Sequence, residues 1–186
     1  MASSTSAIAS VLESAKDQVR VRFNDARLVT IRPILPSDLE ALRIFFTALS
    51  RATLRLRFHS PINELSEQLL REFTMVNQRA LAVVAEVHAS AADQPATLVA
   101  EARFVRNADS ASAEFALVVA DNWRRIGLGT MLTRILVQRA RFTGVRRLCG
   151  DVLEDNEAMR GLAHSLGARL WRGIGHAGTV RLSLEV

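Results

Sequence analysis

Cysteine is nearly missing from this chain: among 186 residues there is one, Cys149. A single thiol forms no internal disulfide, so a disulfide-stapled secreted scaffold and a multi-cysteine zinc module are both excluded. Tyrosine is absent and aromatics amount to 5 %, which leaves few rings for a base-stacking nucleic-acid surface. Lysine is reduced to Lys16; every other one of the 24 basic residues is arginine. No apolar run approaches the length of a membrane span. The opening Met1-Ala2-Ser3-Ser4-Thr5-Ser6 lacks the basic end and apolar block of a signal peptide, and a cytoplasmic address is expected.

What is present describes a globular chain. Apolar residues make up 49 % and charged residues 23 %, which excludes wholesale disorder. The length suits one domain, expected over residues 19–186 behind a tail of residues 1–18, with a core large enough to stand without staples. The formal charge of +5 and a pI near 11.0 point to an anionic partner: a nucleic acid, a phosphate-bearing cofactor or an acidic protein face. The balance alone does not choose between them.

The patterning is α+β. In the tail, Ala7 to Glu13 allows a weak helix. Val19 to Phe23 and Leu28 to Pro33 read as strands joined through the turn residues Asn24-Asp25. Ser37 opens a helix, with Glu40 three residues on as a capping box. Thr53 to Phe58 is arginine-rich and ambiguous, and a further helix runs from Glu64 to about Met75. Three apolar runs, Ala80–Val87, Thr97–Val105 and Ala113–Val119, fit an antiparallel meander, the first two separated by a small-residue loop from Ala89 to Pro95. Helix Leu128–Phe142, strand Arg146–Leu153, helix Asn156–Leu166 and two closing runs, Ala168–Trp171 and Thr179–Leu184, complete one mixed sheet flanked by helices.

The chemistry concentrates between Glu114 and Thr130. A strand, a short loop with Arg124, Arg125, Gly127 and Gly129, and a long amphipathic helix aim backbone N–H groups and a positive helix end at one place. Glycines let a phosphate approach the backbone, so the loop is a candidate anion site. No Gly-Lys-Ser/Thr follows, so it is not a P-loop, and two glycines deep in the chain are not the dinucleotide fingerprint. The other reading is a loop whose glycines permit a turn and whose arginines face solvent.

Arg124-x-x-Gly127-x-Gly129, after an apolar strand and before a long helix, resembles the acetyl-CoA pyrophosphate loop of the GNAT superfamily of N-acetyltransferases. Strand Arg146–Leu153 with Glu154-Asp155-Asn156-Glu157-Ala158-Met159 and Leu166-Gly167-Ala168 resembles that family's next block. Val29 to Pro33 with Ser37-Asp38 resembles its first strand and helix. The likeness covers about residues 27 to 185. Leu49-Ser50 through Arg57-Phe58-His59-Ser60-Pro61, and Ala113-Glu114-Phe115-Ala116, are similar to the acetyltransferase domains of bacterial protein-lysine acetyltransferases. In such relatives this domain is often fused to a regulatory or synthetase-like portion; 186 residues are expected to hold the acetyltransferase domain alone.

The resemblance implies a GNAT-like, mostly antiparallel central sheet flanked by helices and an enzyme that uses acetyl-CoA, without a metal. The acceptor it implies is an amine, in the first instance a protein lysine side chain, attacked directly in a ternary complex. It makes Glu114 the general base, its pKa raised by Phe115 and Ala116; the other reading is an edge-strand glutamate facing water. Backbone groups near Leu117 or Val118 would steady the thioester oxygen and, with Val119, pair with the pantetheine arm. Arg124, Arg125, Ile126, Gly127, Leu128, Gly129 and Thr130 would hold the pyrophosphate. Asn156 would bond the pantetheine or pyrophosphate, or cap its helix, or both. Many GNAT enzymes carry a tyrosine as the acid for the leaving thiolate; counted from Asn156 that place falls on Ala163, and because a thiolate is a stable leaving group solvent can suffice.

The remaining candidates are expected to be structural. His59, His88, His164 and His176 show no metal spacing, Cys149 reads as buried and inert, Trp123 as a cover for the cofactor or a packing residue, and Arg51, Arg55 and Arg57 as a solvated face. Two rival readings are a domain that senses acyl-CoA without catalysis, kept open by the missing tyrosine, and a basic nucleic-acid-binding module, disfavoured because the arginines are spread through the chain. A small amine or a protein N-terminus is the alternative acceptor. A monomer or homodimer without membrane or specific nucleic-acid partners is expected.

Overall fold

The computed structural model describes residues 18–23, 25–77, 79–88, 95–108, 111–172 and 178–186. The expected tail with its helix and Lys16, the turn residue Asn24, most of the loop before Pro95, and His176 lie outside the described residues.

Eight strands form one sheet. They are β1 (Val19–Arg22), β2 (Leu28–Pro33), β3 (Ala80–Val87), β4 (Thr97–Arg106), β5 (Ser112–Val119), β6 (Arg147–Leu153), β7 (Arg169–Arg172) and β8 (Thr179–Glu185), in the order β1-β2-β3-β4-β5-β6-β8-β7. Every pairing is antiparallel except β5 with β6. Five α-helices are described: α1 (Leu39–Thr47), α2 (Arg51–Phe58), α3 (Glu67–Thr74), α4 (Leu128–Phe142) and α5 (Glu157–Ser165). The meander and the closing hairpin are as the apolar runs predict.

Strand alternation divides the core in two. On β3, Val83 and Ala85 join one cluster while Ala82 and Val84 join the other. The first cluster packs α4, through Leu128, Leu132, Ile135 and Leu136, against Phe104, Phe115, Leu148 and Leu182. The second packs α1, α2 and α3, through Leu42, Phe45, Phe46, Leu54, Leu70 and Phe73, against Val84, Leu98 and Val118. The sheet is thus covered on both faces, and the amphipathic stripes of the helices are what cover it.

Helix starts differ from the sequence reading in instructive ways. Ser37 lies inside a 3₁₀ turn, Pro36–Asp38, and α1 begins at Leu39. The expected Ser37–Glu40 box is replaced by Asp38, whose carboxylate accepts the Leu35 N–H at 2.7 Å and is held by Arg32 at 2.7 Å. Arg32 also binds Glu86, so the turn is tied to β2 and β3. The ambiguous Thr53–Phe58 stretch is helical because Ser50 caps it, its Oγ accepting the Thr53 N–H at 3.2 Å. The next helix starts at Glu67 rather than Glu64, where Ser66 supplies the same cap.

The feature that positions the site is the short life of the parallel pairing. β5 and β6 pair only over Ser112–Glu114 and Arg147–Cys149. Beyond Glu114, β5 stays with β4 to Val119 and β6 stays with β8 to Leu153, so the two strands diverge as a fork. Gly150 stands at the opening, where a Cβ would lie 3.0 Å from the Phe115 carbonyl oxygen. Gly150→Ala must therefore push a backbone carbonyl aside. It is expected to destabilise the fold by about 1–3 kcal/mol in urea denaturation; an unchanged midpoint would show that the fork does not need this close approach.

Candidate active site

Two cavities meet at the fork. The larger, of about 600 Å³, runs between the diverging part of β5, α2, the β5–α4 loop and the first turns of α4 and α5. The smaller, of about 240 Å³, lies at the closed end and is lined by Glu114, Gly150, Asp151 and His59 among others. Leu56, Arg57, Leu117, Asn156 and Met159 border both.

The register decides which backbone groups of β5 face the fork. Ala120 N–H donates to the Val99 carbonyl at 2.8 Å, and Ala120 and Val99 continue the β4–β5 register. Alternate residues in an antiparallel ladder turn their N–H and C=O to the same neighbour. Glu114, Ala116 and Val118 therefore pair with β4, while Leu117 and Val119 turn theirs into the fork. This corrects the expectation for Val118: it borders the larger cavity, but its N–H belongs to β4 and its side chain to the core. Of the two candidates for steadying the thioester oxygen, Leu117 has the free direction.

The loop is shaped by two left-handed residues, Arg125 at φ +62° and Gly127 at φ +91°. They turn the chain so that α4 begins at Leu128 with its N-terminus at the larger cavity. Gly127 is the cap residue and has no side chain to offer, so the first-turn N–H groups of this 15-residue helix lack the usual side-chain cap. Gly127, Gly129 and Thr130 border the cavity, and Arg125 stands exposed beside it. Gly129 permits close packing, since a Cβ there would lie 3.4 Å from Leu117. Ile126 packs against the core, and Leu128 is fully buried, so at these two positions only the backbone is available to a ligand.

Arg124 departs from its expected use. Its Nε donates to the Val119 carbonyl at 3.2 Å, one terminal nitrogen donates to Thr53 Oγ1, and the other lies 3.5 Å from Asp121. It braces the loop to β5 and α2 instead of standing free for an anion. Asp121 completes the brace by accepting from the Ser50 N–H, Ser50 Oγ and Thr53 Oγ1. Burial pushes the Asp121 carboxyl up, but the hydrogen bonds from Thr53 and Ser50 and the charge of Arg124 outweigh it and hold the group below its ordinary value of 3.8. The sequence offered no signal for Asp121 beyond its place in the loop.

Glu114 is in a central strand, not at an edge, and its side chain is 43 % exposed. Phe115 points to the opposite face of the sheet, so of the two expected apolar neighbours only Ala116 shares the face of Glu114, and its methyl group does not bond the carboxylate. An arginine does. Arg181 on β8 donates to both Glu114 oxygens and, at 3.2 Å, to Asp151 Oδ1 on β6. Bonding to Glu114, opposed by partial burial and helped by Asp151, holds the Arg181 guanidinium charged well above its ordinary range. Neither Arg181 nor Asp151 was foreseen, because strand pairing, not sequence distance, brings them to Glu114.

Asn156 caps α5, its Oδ1 accepting the Met159 N–H at 3.0 Å, and it borders both cavities. Ala163 is 2 % exposed and packed into the core. Trp123 lies under the Arg27 guanidinium, 4.4 Å from its ring centre, and packs on the core. Arg51 is exposed, and Arg55 pairs with Asp155 at 2.8 Å. Arg57 corrects the idea of a solvated arginine face: its side chain is buried beside the fully buried Glu101, with Arg103 on the other side of that carboxylate. Burial pushes the Arg57 guanidinium down while Glu101 opposes the shift. Cys149 is half-buried, on β6 directly opposite Glu114. Among the described residues no group of three His, Cys, Asp or Glu could hold a metal, and no helix is long and apolar enough to cross a membrane.

Comparison with known proteins agrees with this geometry. The acetyltransferase (GNAT) domain family matches residues 28–169. Acetyltransferase PA5475 of Pseudomonas aeruginosa is 34 % identical over 146 residues, 78 % of this chain and 77 % of that protein. Acetyltransferase Pat of Mycolicibacterium smegmatis is 34 % identical over 148 residues, 74 % of this chain; the match spans 40 % of that longer protein. The GNAT domain of PAT from S. lividans superposes with a TM-score of 0.82 at 25 % identity, covering 91 % of this chain and 97 % of that one. RimL, a ribosomal L7/L12 alpha-N-protein acetyltransferase solved with coenzyme A, shares the fold at a TM-score of 0.67 and 14 % identity, over 85 % of this chain and 94 % of that one. The chain belongs to the GNAT acetyltransferase family. It is an N-acetyltransferase, and the donor of acetyl groups in this family is acetyl-CoA. The long cavity, the uncapped start of α4 and the free edge of β5 fit a donor with an extended amide-bearing arm and a pyrophosphate.

The brace at Asp121 predicts a pH signature. A carboxyl whose folded pKa is depressed contributes stability above its unfolded pKa and loses it as pH falls through the folded value. Asp121→Ala is therefore expected to lower unfolding free energy by about 0.5–1 kcal/mol at neutral pH, a modest figure because the side chain is 46 % exposed. The difference from the parent should narrow as the pH falls below 3.8, leaving only what the neutral carboxyl still accepts from Ser50 and Thr53. A gap between parent and variant that does not change between pH 7 and pH 2.5 would contradict the assignment.

Proposed function

We propose that this enzyme transfers the acetyl group of acetyl-CoA to a protein lysine side chain, by direct attack in a ternary complex, with Glu114 taking the proton. The observation that carries the reading is the position of Glu114 at the last paired residue of the fork, lining the cavity that opens onto the larger one. The donor, bound along β5 and the α4 loop, would have its acetyl group where the cavities meet. The smaller cavity would admit the acceptor from the side of Glu114 and Asp151.

Each group then has a task. An alkylamine arrives as an ammonium, with an ordinary pKa of about 10.4, so the two carboxylates attract it before chemistry begins. Glu114 receives the proton, directly or through a water, as the nitrogen becomes a nucleophile. The Leu117 N–H, facing the fork, would donate to the carbonyl oxygen as it gains charge. The thiolate departs without a protein acid: the chain has no tyrosine, and Ala163 is a packed methyl group. A thiol of ordinary pKa is a good leaving group near neutrality. Support for a protein acceptor comes from the segments Leu49–Pro61 and Ala113–Ala116, which resemble those of bacterial protein-lysine acetyltransferases. The loop Arg125–Thr130 and Asn156 would hold the donor.

Glu114→Gln keeps the size and removes the basicity. Transfer of labelled acetyl from acetyl-CoA to proteins is expected to show kcat reduced about 10²–10⁴-fold, with coenzyme A affinity by calorimetry nearly unchanged. A folded variant that acetylates at the parent rate would remove Glu114 from the chemistry. Acetylation confined to free small amines or to protein N-termini would remove the lysine side chain as acceptor.

A further inference from the structure

We infer that Arg181 is the positioning residue for the Glu114 carboxylate, and that Asp151 anchors Arg181 in that task. The inference rests on the reading of Glu114 as the proton acceptor and adds what makes that acceptor effective.

Glu114 needs such a partner. Its side chain is 43 % exposed beside a cavity, and a glutamate there has three rotatable bonds whose freedom must be restrained for the carboxylate to hold one place. A base that wanders loses rate, since a displacement of about 1 Å at the reacting groups can cost 100-fold. Arg181 removes the freedom. Its two terminal nitrogens meet the two carboxylate oxygens separately, one of them at 3.1 Å, so the plane of the carboxylate is fixed as well as its position. A guanidinium bound in this way takes one lone pair from each oxygen and leaves the other for water or the acceptor nitrogen.

Arg181 is itself held. It lies opposite Asp151 in the β6–β8 ladder and donates to that carboxylate at 3.2 Å. Its side chain is 27 % exposed, against 37 % for Asp151. From β8 it reaches across β6 to β5, so the ion pair spans the two strands just where their neighbour diverges. An ordinary exposed ion pair contributes little to stability and joins adjacent surface groups. This one joins residues 67 apart in sequence at the one place where the sheet is open. Arg57, the arginine that borders the smaller cavity, lies beside Glu101 and belongs to a separate cluster.

The test is a double-mutant cycle read in kcat. The parent, Arg181→Gln, Arg181→Lys, Glu114→Gln and the Glu114→Gln/Arg181→Gln pair are assayed for coenzyme A release from acetyl-CoA, with poly-L-lysine as acceptor and, separately, with water alone. Arg181→Gln is expected to lower kcat about 10- to 100-fold with the acetyl-CoA KM unchanged. Arg181→Lys, which keeps the charge, should recover part of the loss, and the pair should be no slower than Glu114→Gln alone. Asp151→Asn, which leaves the Glu114 contact, should cost less than Arg181→Gln, and it serves as the second probe if Arg181→Gln does not fold. An Arg181→Gln enzyme with parent kcat overturns the proposal, as does an equal loss from Arg181→Gln in the Glu114→Gln background, or an Asp151→Asn enzyme slower than Arg181→Gln. Glu114→Gln distinguishes the failures: if it retains the parent rate, the base assignment falls, and if it is slow while Arg181→Gln is not, only the role of Arg181 falls.

Discussion

The site depends on a sheet that stops pairing. Parallel neighbours cannot be joined by a tight turn, so the step from β5 to β6 requires a crossover, and α4 supplies it. The same step produces a strand edge that is unpaired beyond Phe115 and a helix N-terminus beside it. Backbone groups inside a sheet are normally consumed by their neighbours. Here Leu117 and the N–H of Val119 stay pointed at a cavity of about 600 Å³ while Arg124 takes the Val119 carbonyl, and the last paired residue before the opening is Glu114. Donor groove, anion-binding loop and carboxylate are consequences of one interrupted ladder.

Arginine is the internal fastener of this chain. Composition suggests a basic surface, but five of the arginines are spent fastening elements to one another. Arg32 ties the turn before α1 to β3, Arg103 and Arg57 share buried Glu101, Arg124 locks the α4 loop to β5 and α2, and Arg181 ties β8 to β5. A planar guanidinium suits these places because it makes several directed bonds at once and stays charged when partly buried. The +5 balance is therefore a poor guide to partners.

Element type and order were legible because the signals were local. The runs Ala80–Val87 and Ala113–Val119 alternate or run apolar at strand length, and Leu128–Phe142 has a helical stripe, so each is found within a residue or two of its place. Caps were less legible: Ser37 has a capping-box pattern, but Asp38, held by Arg32, takes the Leu35 N–H instead, and the later helix is capped by Ser66, two residues past its expected start at Glu64. The site was legible where it is one continuous segment, the loop from Arg124 to Thr130. It was not legible where strands from distant parts of the chain meet. Asp151 and Arg181 reach Glu114 through β6 and β8, and the insertion of β8 between β6 and β7 leaves no mark in the local pattern. Arg57 misled because its neighbours on α2 are solvated; only the turn of the helix against β4 separates it from Arg51 and Arg55.

The central claim is that the donor occupies the fork along the free edge of β5. Amide hydrogen exchange with and without coenzyme A tests it residue by residue. The Leu117 and Val119 amides, which face the fork, and those of Leu128, Gly129 and Thr130 at the uncapped start of α4 should exchange readily in the free protein and slow on binding. The Val118 amide, bonded to β4, should be slow in both states. Coenzyme A that binds while leaving Leu117, Val119 and the first turn of α4 unprotected would contradict the account.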